Sequence, residues 1–205
     1  MNSSTPIPAA GSTLPVSSAS VWLRSAGIVV AGSAFIAVCA HIALPLYFTP
    51  VPLTLQPFAV LVVGLFLSPR LAAATLIAYL GEGALGLPVF SPGIAGTFGI
   101  AHLLGPTGGY LLSYPFAATL ISALWRSSRR GFFSAMLSAA AGNALILCTG
   151  ALWLGVATHA ALQLVMTQAI LPFLPGDALK VVSAAALATG WQRLRHRSAS
   201  SFPTT

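Results

Sequence analysis

Apolar residues along this chain do not alternate with polar ones at the period of a strand or of a one-faced helix. They come in runs that are apolar nearly all the way round, such as Ala26 to Leu46, Leu71 to Tyr79 and Phe132 to Val156. A helix of this kind has no face to offer water and is solvated by lipid. A straight bilayer crossing takes about 20 such residues, and shorter runs must tilt or distort. Length and breakers together predict six spans. The first runs from Ala26 to Leu46 and the second from Leu55 to Leu67, closed by Ser68 and Pro69. The third runs from Leu71 to Leu85, the fourth from Tyr110 to Leu124 and the fifth from Phe132 to Val156. The sixth begins after Pro175 and Gly176 and ends near Leu194. The expected fold is all-α, a polytopic membrane protein of six transmembrane helices with irregular outer loops, of which Gly86 to Gly109 is the longest.

The segment His159 to Leu171 is too short for an ordinary crossing and carries His159, Gln163 and Thr167 at four-residue steps. That single polar stripe predicts an amphipathic interfacial helix before the last span, with a seventh, tilted crossing as the alternative. The chain ends differ in kind. Residues 1–22 are expected to be a disordered leader, without charged side chains and rich in Ser, Pro and Ala. Residues 23–194 are expected to form a six-helix membrane domain and 195–205 a basic cytoplasmic tail. Pro6, Pro8 and Pro15 interrupt any hydrophobic stretch of the kind a signal peptide needs, so no processing is expected. Cys39 and Cys148 both fall inside apolar spans, which argues against a disulfide framework.

Charge orients these spans. Only 5% of the residues are charged, against roughly a quarter in soluble proteins, yet the net charge is +7. The arginines form short clusters between apolar spans and no stripe, which excludes a nucleic-acid role. Arg24, Arg70, the Arg126, Arg129 and Arg130 group, and the Arg193, Arg195 and Arg197 group all fall on one side of a six-span topology. The opposite loops contain neither Lys nor Arg. By the positive-inside rule both termini are cytoplasmic, and a seventh crossing would put the last arginine cluster outside.

Lys180 is the exception, three residues after Asp177 at the start of the last span. An ionisable group at the centre of a membrane helix costs roughly 2.5–3.5 kcal/mol, so a partner is expected. A self-neutralising pair at i and i+3 is one reading, with Asp177 also favoured by the helix N-terminus. The other is that the pair faces a cavity and offers a ligand one strong acceptor and one strong donor. Other special residues gather at the same, outer end: Thr54 and Gln56 in the Pro-rich approach to span two, Glu82 at the end of span three, and Tyr110 at the start of span four. Irregular backbone at such depth is tolerated where protein or water surrounds it. Each also has a simpler role: prolines and glycines shape turns, Tyr110 fits an interfacial aromatic belt, and Gln56 fits a solvated site. Asn143 reads either as interhelical hydrogen-bond glue or as a ligand contact. His41 and His102 lack metal-type spacing, so no metal site is expected.

The motifs Pro52-Leu53-Thr54-Leu55-Gln56, Gly86-Leu87-Pro88-Val89-Phe90, Gly105-Pro106-Thr107-Gly108-Gly109-Tyr110 and Pro175-Gly176-Asp177-x-x-Lys180 occur in this order. Together they resemble the BioY family of biotin-specific membrane proteins, over about residues 25 to 190. The resemblance implies a six-helix substrate-capture subunit, the S component of an energy-coupling factor (ECF) transporter in a prokaryotic cytoplasmic membrane. It also implies that Asp177 and Lys180 bind biotin. Thr54, Gln56 and Tyr110 are the next candidates for polar contacts, with Glu82 and Asn143 beside them and Phe90 as an apolar wall.

The same resemblance implies a transmembrane coupling subunit and ATPase subunits as partners. The family's interaction pattern is Ala-x-x-x-Ala; here Gly27 with Ala31 and Ser33 with Ala37 are the small pairs on span one. The chain is not an ATPase of the Walker type, since its sole lysine follows Leu179 and no glycine. No cofactor is expected, and a single sequence leaves homo-oligomer formation open. The alternatives are an S component for another vitamin such as thiamine or riboflavin, an intramembrane enzyme, and a structural membrane partner. No nucleophile–base pair or metal constellation at one depth supports the enzyme.

Overall fold

The computed structural model describes residues 18–92 and 98–200. Most of the expected leader and the last five residues of the tail lie outside that range, as does part of the long Gly-rich loop. The chain order is α1 (Ser18–His41), β1 (Ala43–Leu44), β2 (Leu53–Thr54), α2 (Gln56–Phe66), α3 (Pro69–Ala84) and α4 (Ile100–Leu103). It continues with α5 (Gly108–Ser127), α6 (Phe132–Thr158), α7 (Leu162–Val165), a π-helical turn (Met166–Ile170) and α8 (Leu174–Ser200).

The breakers act locally as their chemistry dictates. Ser68 accepts a hydrogen bond from the Leu71 N–H at 3.4 Å and caps α3, with Pro69 in the first turn where its missing N–H costs nothing. Pro57 starts α2 in the same manner. The longest helix before the last turn region, α6, stops at His159, whose left-handed conformation (φ 51°) closes it.

Several boundaries differ from the sequence expectation. Helix α8 begins at Leu174, with Pro175 and Gly176 inside its first turn, and continues past Leu194 to Ser200 through the first part of the expected tail. Helix α4 forms within the loop expected to be irregular. Helix α1 begins at Ser18, inside the expected leader, because no Pro or Gly lies between Pro15 and Trp22 to stop it. It ends at His41, since Ala43 and Leu44 pair antiparallel with Thr54 and Leu53 in a short ribbon that the apolar pattern did not reveal. The segment after α6 is two short helical pieces. Val165 and Ala169 are buried, while Gln163 and Thr167 of the polar stripe stay exposed.

Among the described residues, length and apolarity alone support fewer crossings than six. Ala19–His41 and Phe132–Thr158 are each long and apolar enough to span a bilayer. The pair Leu162–Ile170 and Leu174–Arg195, bent by 44°, makes a third if it is one span. Helix α2 has 11 residues and α3 has 16, about 16 Å and 24 Å of rise, short of a hydrocarbon core of about 30 Å.

Helix α5 packs on α6 and α3, α8 on α6 and α2, and α1 on α3. Small residues line these contacts: Ala117, Ala118, Ala135, Ala139, Ala184 and Ala185 are fully buried and let backbones approach closely. Large apolar side chains such as Trp22, Val38, Phe116, Phe133 and Leu152 point outward, as lipid solvation requires. The interior divides into two clusters. The larger holds Tyr79, Phe90, Tyr110, Tyr114 and Phe173, and the smaller holds Leu61, Leu65, Ile121 and Trp125. Helices α2, α5 and α8 all start in the first and end at the second, so the bundle has two distinct ends.

Candidate functional site

The starts of α2, α5 and α8 converge on a small cavity of about 40 Å³. Asp177 sits in the first turn of α8, where free N–H groups and the macrodipole favour a carboxylate. One turn on, Lys180 places its Nζ 2.9 Å from Asp177 Oδ1. Asn143, from the middle of α6, donates from Nδ2 to Asp177 Oδ2 at 3.1 Å. Asp177 is 4% exposed and Lys180 8%, so the charges are paired out of bulk water. Each carboxylate oxygen keeps a lone pair beyond these bonds, and the ammonium keeps two N–H groups.

Thr54, Gln56 and Tyr110 line the same cavity with Asp177 and Lys180. Their hydrogen bonds hold the wall. Gln56 Nε2 donates to Tyr79 Oη at 2.8 Å, and Tyr79 in turn donates to the Val89 carbonyl at 2.8 Å. Tyr110 Oη donates to the Ala169 carbonyl at 2.8 Å, and Thr49 Oγ1 to that of Gln168 at 2.8 Å. Both acceptors belong to the π-helical turn, whose altered backbone register directs carbonyls to partners outside the helix. The Pro-rich loop, α5 and the segment before α8 are thereby tied together above the cavity. Glycine is required at Gly150, where a Cβ would fall on the Tyr110 ring.

Other expected site residues are placed elsewhere. Glu82 does not line the cavity; its carboxylate accepts a 2.5 Å hydrogen bond from Ser33 Oγ on α1. Phe90 lies one layer behind, edge-on to Tyr79 (centroids 5.4 Å apart), stacked on His102 (5.2 Å) and seated against Gly83. Asn143 also stands behind the wall, and its Oδ1 is buried without a hydrogen-bond partner among the described residues. On α1, Gly27 and Ala31 are exposed and Ala37 is half-buried, but Ser33 is 1% exposed and turned inward to Glu82. Ser33 therefore does not share an outward face with Gly27 and Ala31.

Several cavity residues escaped the sequence reading. Tyr114 lies one helical turn from Tyr110, a spacing that makes it findable. Phe173, Ser91 and Thr107 reach the cavity through turns that carry no periodic signal. Leu111, Ile146 and Leu147 supply apolar wall. His41 Nδ1 is 2.8 Å from the Ala37 carbonyl, and among the described residues no group of three His, Cys, Asp or Glu side chains is arranged to hold a metal. The site is mostly apolar with one buried acceptor–donor pair, suited to a small molecule with an apolar body and polar ends.

Fold and composition together describe a helical membrane protein with a small, mostly apolar cavity at one end of its bundle. The sequence profile of the BioY family matches residues 10–197, and the chain belongs to that family. A protein of Pyrococcus horikoshii named a probable biotin transporter BioY is 41% identical over 139 residues, covering 68% of this chain and 79% of that one. Biotin transporter BioY2 of Lactococcus lactis subsp. cremoris is 35% identical over 160 residues, covering 78% and 85%. The crystal structure of the S-component for biotin from an ECF-type ABC transporter superposes with a TM-score of 0.75 at 25% identity, over 85% of this chain and 93% of that one. The chain is thus a cell-membrane protein of a transporter family and not of an enzyme family.

Proposed function

We propose that this chain captures biotin at the external side of a prokaryotic cytoplasmic membrane, as the S component of an ECF transporter. The observation that carries the reading is the buried Asp177–Lys180 pair on the wall of a largely apolar cavity. Biotin joins an apolar bicycle and alkyl chain to a ureido group and a carboxylate. The free lone pairs of Asp177 accept ureido N–H groups, and the remaining N–H groups of Lys180 donate to a ligand oxygen. Tyr110, Thr54 and Gln56 are the remaining polar contacts in this reading. Asn143 holds Asp177 from behind.

The topology proposed with it has six crossings, α1, α2, α3, α5, α6 and α8, and both termini in the cytoplasm. Its support is the arginine asymmetry, with the cavity at the end opposite the clusters. The short α2 and α3 fit a bundle whose outer ends are roofed by loops and not by helix. The exposed His159, Gln163 and Thr167 suit the membrane interface, which is where the segment before α8 belongs in this topology. Transport energy then comes from partners, a coupling subunit and ATPases, and the exposed Gly27 and Ala31 of α1 are the small-residue patch for close helix contact.

The deciding measurement is equilibrium binding of labelled biotin to the purified, folded protein, with thiamine and riboflavin as competitors. Wild type binds biotin and is not competed by the other two; Asp177→Asn and Lys180→Ala each weaken binding at least 100-fold, the scale of about 3 kcal/mol for a lost charged contact. Failure of the wild type to bind biotin refutes the function. Tight binding that survives both substitutions refutes the site.

A further inference from the structure

The far end of the bundle holds a second, larger recess that the capture of a ligand at Asp177 and Lys180 does not use. It holds about 810 Å³ and opens to solvent, between the ends of α2 and α5 and the late turns of α8. It exists because the helices differ in length. Helix α2 stops at Phe66, while α8 runs on to Ser200 and carries Trp191, Gln192 and Arg195 past it. Arg126, Arg129 and Arg130 close the other side, from the end of α5 and its turn into α6. Arg130 is held at φ 54° in that turn, and its N–H donates to Ser128 Oγ at 3.2 Å.

The charge of this recess has no side-chain answer within the chain. The whole sequence contains two carboxylate side chains, and both are engaged elsewhere, Asp177 with Lys180 and Glu82 with Ser33. The C-termini of α2 and α5 point here, and each is equivalent to about half a negative charge. The N-termini of α3 and α6 begin in the same turns with the opposite sign, so the dipoles leave the four guanidiniums largely unbalanced. The floor is apolar, with Leu65 and Trp125 buried, and Phe66 and Trp191 stand exposed at the rim. An indole at such a rim matches the headgroup level of a bilayer.

We infer that this arginine-lined crevice is a binding site for the headgroup of an anionic phospholipid. Its phosphate lies among Arg126, Arg129 and Arg195, and its acyl chains run down along Phe66 and Trp191. Guanidinium forks pair with phosphate oxygens bidentately, and basic pockets between helices on the cytoplasmic side are suited to anionic headgroups. A free phosphate ion shares the anionic chemistry but leaves the apolar floor and the Trp191 rim without a partner. Along α8 the crevice lies about 27 Å from Asp177, so occupancy there is separable from the ligand cavity.

The test is native mass spectrometry of the full-length protein equilibrated with phosphatidylglycerol and phosphatidylcholine of equal chain length. Wild type should retain phosphatidylglycerol at least tenfold over phosphatidylcholine, and the triple variant Arg126→Gln, Arg129→Gln, Arg195→Gln should lose that preference. The matched variant Arg24→Gln, Arg70→Gln, Arg193→Gln removes equal charge outside the crevice and should keep it. Monodisperse elution checks folding. If the first triple variant fails to fold, Arg195→Glu alone must lower the preference. Equal retention of the two lipids by wild type, or loss of the preference in both triple variants alike, overturns the site. Displacement of the lipid by millimolar inorganic phosphate assigns it to a free anion, and stabilisation by a glutamate-rich peptide but not by phosphatidylglycerol assigns it to a protein partner; either result overturns the lipid.

Discussion

At the cavity end the positive charge is a single lysine, 8% exposed, 2.9 Å from a carboxylate that a buried asparagine also holds. At the other end four arginines surround an open crevice, with no carboxylate side chain left in the sequence to meet them. The charges have the same sign and differ in depth. An ammonium removed from water must bring its counter-ion with it, whereas guanidiniums at the edge of the bilayer remain hydrated and answer to whatever anion the surroundings supply. The cavity end is therefore pre-organised and neutral, and the arginine end is open and unbalanced.

That contrast predicts a graded series. The largest effect belongs to the ion pair. Lys180→Met leaves Asp177 buried and unpaired and should cost about 3–5 kcal/mol in thermal or denaturant unfolding. The double change Asp177→Asn with Lys180→Met should recover most of that stability and none of the biotin binding. If binding returns with stability, the pair is scaffold only.

Next comes Asn143→Ala, which removes a hydrogen bond to the Asp177 carboxylate worth about 1.5–3 kcal/mol. Its expected result is about a tenfold or greater loss of biotin affinity with the fold intact. Unchanged affinity would show that Asp177 needs no support from α6.

Gly150→Ala puts a methyl group where the Tyr110 ring lies. It should lower stability by about 1–3 kcal/mol and loosen the bond from Tyr110 to the π-helical turn, read as faster hydrogen exchange over residues 166–171. Unaltered exchange there would separate the aromatic wall from the roof of the cavity.

The smallest effect is at the opposite end. Arg129→Gln in detergent should change stability by no more than about 0.5 kcal/mol and leave biotin affinity within twofold. A large loss at Arg129 would erase the proposed difference between a self-contained end and an open one.

Much of this layout was legible in the residues. The starts and stops of α2 and α3 and the start of α6 follow from Pro, Ser and Gly chemistry and fall within a few residues of the apolar runs. The Asp177–Lys180 contact follows from its i, i+3 spacing on one helix. Family membership followed from the order of the four motifs. The two-residue strand pair was not legible, because two residues are too few to show a period.

The sequence by itself determined where the apolar helices lie, which loops carry arginine, and that one acid and one base share a helical turn. Which way each helix faces was decided only by the tertiary structure. Glu82 and Tyr79 stand three residues apart on α3, yet Glu82 meets Ser33 on α1 while Tyr79 meets Gln56 at the cavity wall. Ser33 and Ala31 are two apart on α1, one turned inward and the other outward. A helix that is apolar on every side has no hydrophobic stripe to fix its rotation. Its facing is set by packing against neighbours, through small residues and a few hydrogen bonds whose partners lie far away in the chain.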